Sequence, residues 1–200
     1  MIKAALTGGI ASGKTEVLKV AKSFTRVRTI QADNLAKEIY NPDNPCFDEV
    51  VELFGSEILT DEGKIDLGKV SDLVFSDQSL RKELERISHP YVKGRLEGII
   101  GCLEGTDTEM VLVEIPLLFQ STTVKFNTFD TVILVLASEE DQLKRLVSRD
   151  GITVEQARER IELQRLPEKA EKESDYVIKA NGTLEETRDK AKRLIESILN

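Results

Sequence analysis

Residues 8–15 read Gly8-Gly9-Ile10-Ala11-Ser12-Gly13-Lys14-Thr15, and they directly follow an apolar run at residues 2–7. The stretch satisfies the pattern G-x-x-x-x-G-K-[ST], with a short buried-type strand before it and a helical segment after it. The two fixed glycines let the backbone curl so that its N–H groups point at phosphate oxygens, and the following helix adds the positive end of its dipole. The stretch therefore predicts a phosphate-binding loop for a nucleoside triphosphate.

The side chains of the loop have expected roles. Lys14 is expected to reach the β- and γ-phosphates as a point charge, and the Thr15 hydroxyl is expected to ligate Mg²⁺. The predicted nucleotide-binding residues of this segment are Gly8, Gly9, Ala11, Ser12, Gly13, Lys14, Thr15 and Glu16. The alternative interpretation, a Gly-rich turn with a solvated lysine, is disfavoured by the flanking strand and helix.

Composition limits what the protein can bind. A chain of 200 residues suits one compact unit that buries about 70% of its extended surface. A formal net charge of −8 argues against a general nucleic-acid or anionic-membrane binder, because phosphate groups attract basic surfaces. Two cysteines, Cys46 and Cys102, are too few and too separated for a disulfide framework or a zinc site. With no apolar stretch near the ~20 residues of a membrane span and no signal peptide expected before the first strand, we predict a soluble, cytoplasmic protein.

Apolar runs and helical patterns alternate along the chain. Continuous apolar runs at residues 2–7, 28–32, 110–115, 131–137 and 176–180 are typical of strands covered on both faces. The clearest helical patterns are at residues 14–23, 79–104, 139–148, 154–163 and 184–199. The alternation predicts a three-layer α/β fold, in which a five-stranded parallel sheet is flanked by helices and ligands bind at the carboxyl ends of the strands.

Two segments are too long for simple connections. Residues 33–107 far exceed one crossover helix, so we expect a mostly helical insertion built over the site. Residues 139–173 are rich in arginine, and a helix places Arg145 and Arg149 on one face. That segment is either a solvated, ion-paired surface or a lid whose cations close over the transferred phosphoryl group. The nucleotide-binding core of this single domain is then residues 1–32, 108–138 and 174–200.

The chain resembles the dephospho-coenzyme A kinases, which have the P-loop fold of nucleoside monophosphate kinases. The resemblance runs collinearly through nearly the whole chain. It is carried by residues 6–15, 32–36, 54–55, 59–66, 87–90, 115–119, 142–146, 149–151, 164, 175–178 and 181–182. The loop names only a superfamily, whereas the Pro-Leu-Leu-Phe and His-Pro elements in this order are far more selective. Departures from the family pattern are Ala11 for a common glycine, Gln31 and Glu114 for aspartates, Leu67 for an arginine and Gln120 for a glutamate.

The resemblance implies an activity and site residues. The reaction would be ATP-dependent phosphorylation of the 3′-hydroxyl of dephospho-coenzyme A, with Mg²⁺, by a monomer or weak homo-oligomer. Asp33 would accept the hydroxyl proton, although an aspartate before residue 34 is also an ordinary helix N-cap. Lys14, Arg145 and Arg149 would neutralise the transferring phosphoryl group, and Arg149 and Asn181 would contact ATP, Asn181 through its backbone. His89, read as lying at a helix break, and Leu117 would shape the acceptor pocket. Glu114 would either hold water on the Mg²⁺ bound by Thr15 or be a strand-end carboxylate that faces solvent.

Two rival functions remain. Another small-molecule kinase of this fold would act on a nucleoside monophosphate or a nucleoside. A phosphate acceptor is already anionic and needs no base, so Asp33 favours a hydroxyl acceptor. A nucleotide-switch module would want an Asn-Lys-x-Asp element after a strand, which this sequence lacks.

Overall fold

The computed structural model describes residues 1–120 and 128–200. These residues form two compact units. The first unit is made of Met1–Gln31 with Leu103–Asn200, and the second is Ala32–Cys102. No helix among the described residues is both long and apolar enough to cross a membrane.

Five strands of the first unit form one sheet. They are β1 (Ile2–Thr7), β2 (Val27–Gln31), β3 (Met110–Glu114), β4 (Thr131–Leu136) and β5 (Tyr176–Lys179). Every pairing is parallel, and the order across the sheet is β2-β3-β1-β4-β5. The predicted five-stranded parallel sheet is confirmed, and each predicted strand end lies within one residue of the observed one. The apolar runs predict the ends well because β3 is buried along its whole length and β1 and β4 along most of theirs.

Helices flank the sheet, as predicted. The first unit contains α1 (Lys14–Lys22), α6 (Glu139–Asp150), α7 (Val154–Leu163) and α8 (Leu184–Leu199). Its main core joins residues of β1, β3 and β4 to α1 and α8. A smaller cluster, Leu146, Ala157 and Ile161, packs α6 on α7, with Ile10 and Ala11 of the phosphate loop against it.

The second unit is helical and has its own core. It contains α2 (Ala32–Lys37), α3 (Phe47–Phe54), α4 (Leu67–Ser76) and most of α5 (Gln78–Leu103), with two short 3-10 turns at Glu38–Tyr40 and Ser56–Ile58. Its buried residues are Ile39, Val50, Phe54, Ile58, Ile65 and Val70. The mostly helical character expected for this part of the chain is thus observed.

The expected helix break at His89-Pro90 is wrong, because Pro90 lies inside the continuous helix α5. A proline in a helix interior removes one backbone hydrogen bond and crowds the preceding turn. Apolar residues on both sides of it, among them Leu84 and Tyr91, pack against the core of the second unit. This packing holds the two halves of α5 in one helix, so the helix tolerates the proline.

Candidate functional site

The phosphate loop joins β1 to α1 and depends on its two fixed glycines. Gly8 has a φ of 152°, and a Cβ there would overlap the carbonyl oxygen of Val135 and lie 2.8 Å from Ser12 Oγ. Gly13 is the N-cap of α1 with a φ of 107°, in the left-handed region that favours glycine. The strand–loop–helix context required by the motif is therefore present.

Lys14 is folded over this loop. Its Nζ donates to the carbonyl oxygens of Gly8 at 2.8 Å and Gly9 at 2.9 Å, and the residue is only 9% exposed. The ammonium group is thus held in the concavity of the loop. Thr15, the next residue, is exposed in the first turn of α1, where its hydroxyl is open to a ligand.

Ser12 carries a buried hydroxyl that needs explanation. The residue is 1% exposed, and its Oγ has no hydrogen-bond partner in the part of the chain that the structure describes. Buried hydroxyls nearly always have a partner, because leaving one without a hydrogen bond costs stability. A phosphate oxygen bound in the loop is a partner of the right chemistry, so Ser12 supports the anion-binding interpretation.

Ala11 stands in the loop with a φ of 54°, a conformation that costs a residue with a Cβ about 1–2 kcal/mol. It is the position at which the family pattern usually has glycine. Ala11→Gly should therefore leave the free energy of unfolding unchanged or raise it by up to about 1 kcal/mol, since the relieved strain exceeds the added chain entropy. Denaturant unfolding measures this change.

A matched control separates backbone strain from the loss of a methyl group. Ala21 is fully buried in the ordinary helix α1, so Ala21→Gly should lower the free energy of unfolding by about 1 kcal/mol or more. If both substitutions lowered the free energy of unfolding equally, the strained backbone at Ala11 would make no measurable contribution to it.

Arg145 braces the phosphate loop rather than pointing freely into solvent. Its Nη1 donates to the carbonyl oxygen of Ala11 at 3.1 Å, and its Nη2 donates to that of Ala180 at 2.5 Å. One helical turn earlier, Gln142 donates from Nε2 to the carbonyl oxygen of Ile10 at 2.7 Å. Gln142 and Arg145 of α6 thus hold the phosphate loop through its backbone carbonyl oxygens.

Arg149 has different hydrogen-bond partners from Arg145. It is exposed, and its guanidinium forms two hydrogen bonds to Asp150, at 2.6 and 3.0 Å. Arg160 of α7 lies 3.0 Å from the same carboxylate, and the Arg149 guanidinium lowers the pKa of Asp150. The two arginines predicted to act together are therefore engaged differently, one with backbone carbonyls and one with a carboxylate.

Glu16 and Asn181 also have partners within the chain. The Glu16 carboxylate is 2.7 Å from Lys19 Nζ and 2.6 Å from Arg188 Nη2, and the hydrogen bond from Lys19 lowers the pKa of Glu16. The backbone N–H of Ser138 donates to Asn181 Oδ1 at 2.9 Å, which ties the loop after β5 to the start of α6. The Asn181 backbone remains the group predicted to contact ATP.

Glu114 and Thr15 are the residues predicted to hold Mg²⁺. Glu114 ends β3 opposite Gln31 of β2, and Gln31 Nε2 donates to Glu114 Oε2 at 2.7 Å. A carboxylate and a hydroxyl are oxygen ligands of the kind that Mg²⁺ prefers, and in nucleotide sites phosphates and water complete its shell. The donor chemistry fits Mg²⁺, although no cluster of three or more metal-binding side chains occurs within the described residues.

A cavity of about 210 Å³ borders the loop in the first unit. Gly9 and Ser12 line it together with Gln142 and with residues 164–166, which follow α7. Gln120, one of the departures from the family pattern, donates from Nε2 to the carbonyl oxygen of Arg165 at 2.8 Å. The segment predicted to be a lid thus borders the phosphate loop.

Asp33 lines a separate cavity, of about 350 Å³, inside the second unit. It comes two residues after the last residue of β2 and is exposed. The alternative role as an N-cap is wrong, because α2 begins at Ala32 and Asp33 is already its second residue. Among the described residues no hydrogen bond or ion pair engages its carboxylate, which therefore remains available to a ligand.

The other two residues predicted to bind the acceptor are half-buried. His89 lies in the middle of α5, and its neighbour Ser88 lines the cavity that contains Asp33. Leu117 follows β3, just before a 3-10 turn at Leu118–Gln120. Their contact with an acceptor stays a prediction.

Sequence reasoning missed three residues of these two regions. Gln142 could have been found, since it lies three residues before Arg145 and a helix places both on one face. Lys37 and Arg81, which share the cavity of Asp33, carried no recognisable local pattern. Their proximity depends on how α2 and α5 pack within the second unit.

Comparison with known proteins gives one consistent result. A family model described as dephospho-CoA kinase matches residues 2–186. A dephospho-CoA kinase of Geobacillus kaustophilus is 38% identical over 183 residues, which cover 92% of this chain and 90% of that protein. The solved structure of TT1252 from Thermus thermophilus gives a TM-score of 0.80 at 29% identity, covering 98% and 97% of the two chains. The dephospho-CoA kinase from Campylobacter jejuni gives 0.73 at 26% identity, covering 98% and 96%.

Proposed function

The chain belongs to the dephospho-CoA kinase family, and from this membership we propose that it transfers the γ-phosphoryl group of ATP to the 3′-hydroxyl of dephospho-coenzyme A. The products are coenzyme A and ADP, and the reaction is the final step of coenzyme A biosynthesis. The observation that carries the proposal is the extent of the family match, which includes both the phosphate loop and the helical unit that contains Asp33.

The proposed chemistry begins with the acceptor hydroxyl. Asp33 accepts its proton or orients it, so that the oxygen attacks the γ-phosphorus in line with the leaving ADP oxygen. The P–O bond to ADP breaks as the new P–O bond forms, and the hydroxyl proton passes to the carboxylate of Asp33. The carboxylate is exposed and has no partner among the described residues, as this role requires.

Charge on the transferring group is neutralised by the phosphate loop. Lys14 exchanges its two carbonyl partners for phosphate oxygens, and backbone N–H groups of the loop bind the triphosphate. Mg²⁺, held by Thr15 and through water by Glu114, would supply Lewis-acid stabilisation when bound. Gln31 donates to Glu114 and so fixes the carboxylate at the end of β3.

ADP release against a panel of acceptors tests the function. The panel contains dephospho-coenzyme A, AMP, CMP, uridine, adenosine and no acceptor, each with saturating ATP and Mg²⁺. We expect dephospho-coenzyme A to be the best acceptor by a wide margin. Turnover dominated by a monophosphate would overturn the assignment and leave the fold unaffected.

The lid proposed for residues 139–173 makes a further prediction. Hydrogen exchange in this segment should slow when ATP and dephospho-coenzyme A are both bound, since closure orders it against the phosphates. The largest slowing is expected at residues 164–173, because α6 and α7 already share a buried cluster with the loop. Exchange that ligands leave unchanged would count against a lid and favour a fixed, solvated surface.

A further inference from the structure

The cavity that contains Asp33 also contains two cationic side chains for which the proposed chemistry gives no role. Its lining comes from α2, the following 3-10 turn, α4 and α5. Lys37 ends α2, and Arg81 lies in the first turn of α5. One cavity thus combines two carboxylates, Asp33 and Glu85, with two positive charges.

The remaining wall of the cavity is largely apolar. Ile39, Val74 and Leu84 line it, and Ile39 is 1% exposed. Tyr40 lies beside them, and burial raises the pKa of its hydroxyl. Such a wall suits the flat, weakly polar face of a nucleoside, whereas the cations suit an anionic group attached to it.

Both cations, Lys37 and Arg81, are available to an anionic ligand. Among the described residues no carboxylate lies within ion-pairing distance of Lys37. Arg81 Nε is 3.0 Å from Glu85 Oε1, but these side chains are 56% and 42% exposed. An exposed pair four residues apart on a helix contributes little to stability, so a phosphate group can replace the carboxylate at small cost. The guanidinium also matches phosphate oxygens in a two-pronged geometry.

We propose that Lys37 and Arg81 bind the diphosphate of the acceptor, and that Glu85 occupies Arg81 until the acceptor displaces it. The inference rests on the proposed function, since dephospho-coenzyme A carries a diphosphate on the 5′-oxygen of the ribose whose 3′-hydroxyl reacts. The diphosphate and the reacting hydroxyl are therefore attached to the same ribose. The cations that bind the diphosphate must therefore share a cavity with the carboxylate that meets the hydroxyl, and Lys37, Arg81 and Asp33 do share one.

Three variants of α5 test this subsite. Arg81→Gln removes the cation, and Glu85→Gln removes its competitor. Arg86→Gln is the matched control, because Arg86 pairs with Glu83 at 2.8 Å on the same helix and does not line the cavity. All three lose one exposed ion pair, so their thermal midpoints should lie within about 2 °C of the wild type.

The variants should differ in how they use the acceptor. Arg81→Gln should raise the KM for dephospho-coenzyme A about 10-fold or more, since it loses a charged hydrogen bond, and leave the KM for ATP unchanged. Glu85→Gln should lower the acceptor KM about twofold or more, and Arg86→Gln should change it less than twofold. Lys37→Gln should raise it in the same direction as Arg81→Gln.

The signs of the changes decide the question. If Arg81→Gln and Glu85→Gln shift the acceptor KM in the same direction, or if Arg81→Gln leaves it unchanged, the pair is an ordinary surface contact and the subsite is refuted. Calorimetric titration of the same variants with dephospho-coenzyme A in the absence of ATP gives the affinity without turnover. Failure of the wild-type enzyme to phosphorylate dephospho-coenzyme A would instead refute the proposed function, and the titration would still decide the subsite.

Discussion

Lys14→Ala is expected to abolish measurable phosphoryl transfer. The Lys14 ammonium lies 2.8–2.9 Å from two loop carbonyls, inside the concavity where backbone N–H groups would meet the phosphates. Alanine removes the cation that follows the γ-phosphate into the transition state, and donors of this kind contribute on the order of 10²–10³-fold each in a preorganised site. A coupled-enzyme assay of ADP release, with dephospho-coenzyme A as acceptor, measures the loss.

Folding must be monitored in the same samples. Removing the Lys14 side chain takes one donor from the carbonyl oxygens of Gly8 and Gly9, of which Gly9 keeps the Ser12 N–H at 3.3 Å, at a cost of about 1–3 kcal/mol. Transfer should therefore be assayed well below the thermal midpoint of the variant. Lys22→Ala is the control, because Lys22 is an exposed lysine at the end of the same helix, and it should retain full activity. Near-normal transfer by a folded Lys14→Ala protein would show that this loop is not the catalytic phosphate site.

Asp33→Asn is expected to lower turnover by about 10²–10⁴-fold with little change in ATP affinity. Asparagine keeps the shape of the side chain and one hydrogen bond to the acceptor, but it can neither take up a proton nor supply negative charge. The KM for the acceptor should consequently change only modestly, and the loss should be seen in kcat. Steady-state kinetics, the thermal midpoint and ATP binding together separate these effects.

A purely local role for Asp33 predicts a different result. Asp33 is the second residue of α2, and Asp48 is the exposed second residue of α3 in the same unit. Both substitutions remove a favourable charge from a first helical turn, worth about 0.3–1 kcal/mol. Asp48→Asn should leave turnover intact. Equal kinetics of the two variants, with Asp33→Asn retaining wild-type turnover, would retire Asp33 as a catalytic residue.

The fold could be predicted because its signals are local. The continuous apolar run of β4 identifies a strand covered on both faces, and Gly8 and Gly13 stand at backbone positions that a Cβ would strain. The family match and the solved relatives bear out this fold and the kinase assignment.

The contacts around the site could not be predicted in the same way. The Gln31–Glu114 hydrogen bond requires the β2–β3 register, and the contacts of Arg145 require the placement of α6 against two loops. Helical spacing put Arg145 and Arg149 on one face, but spacing says nothing about the partners available there. Arg145 meets two backbone carbonyl oxygens and Arg149 meets a carboxylate, so the two arginines have different contacts.

The brace formed by Arg145 also constrains when the site can exist during synthesis. The loop near the amino terminus is held by a guanidinium of α6 that also needs the carbonyl oxygen of Ala180, which directly follows β5. While the chain is still emerging from the ribosome, the whole phosphate loop has been synthesised long before Ala180 is available to Arg145. Contacts between distant parts of a sequence form late, because closing long loops is slow and costs entropy. The phosphate loop, although it is translated well before Ala180, therefore gains this brace only after β5 has been made.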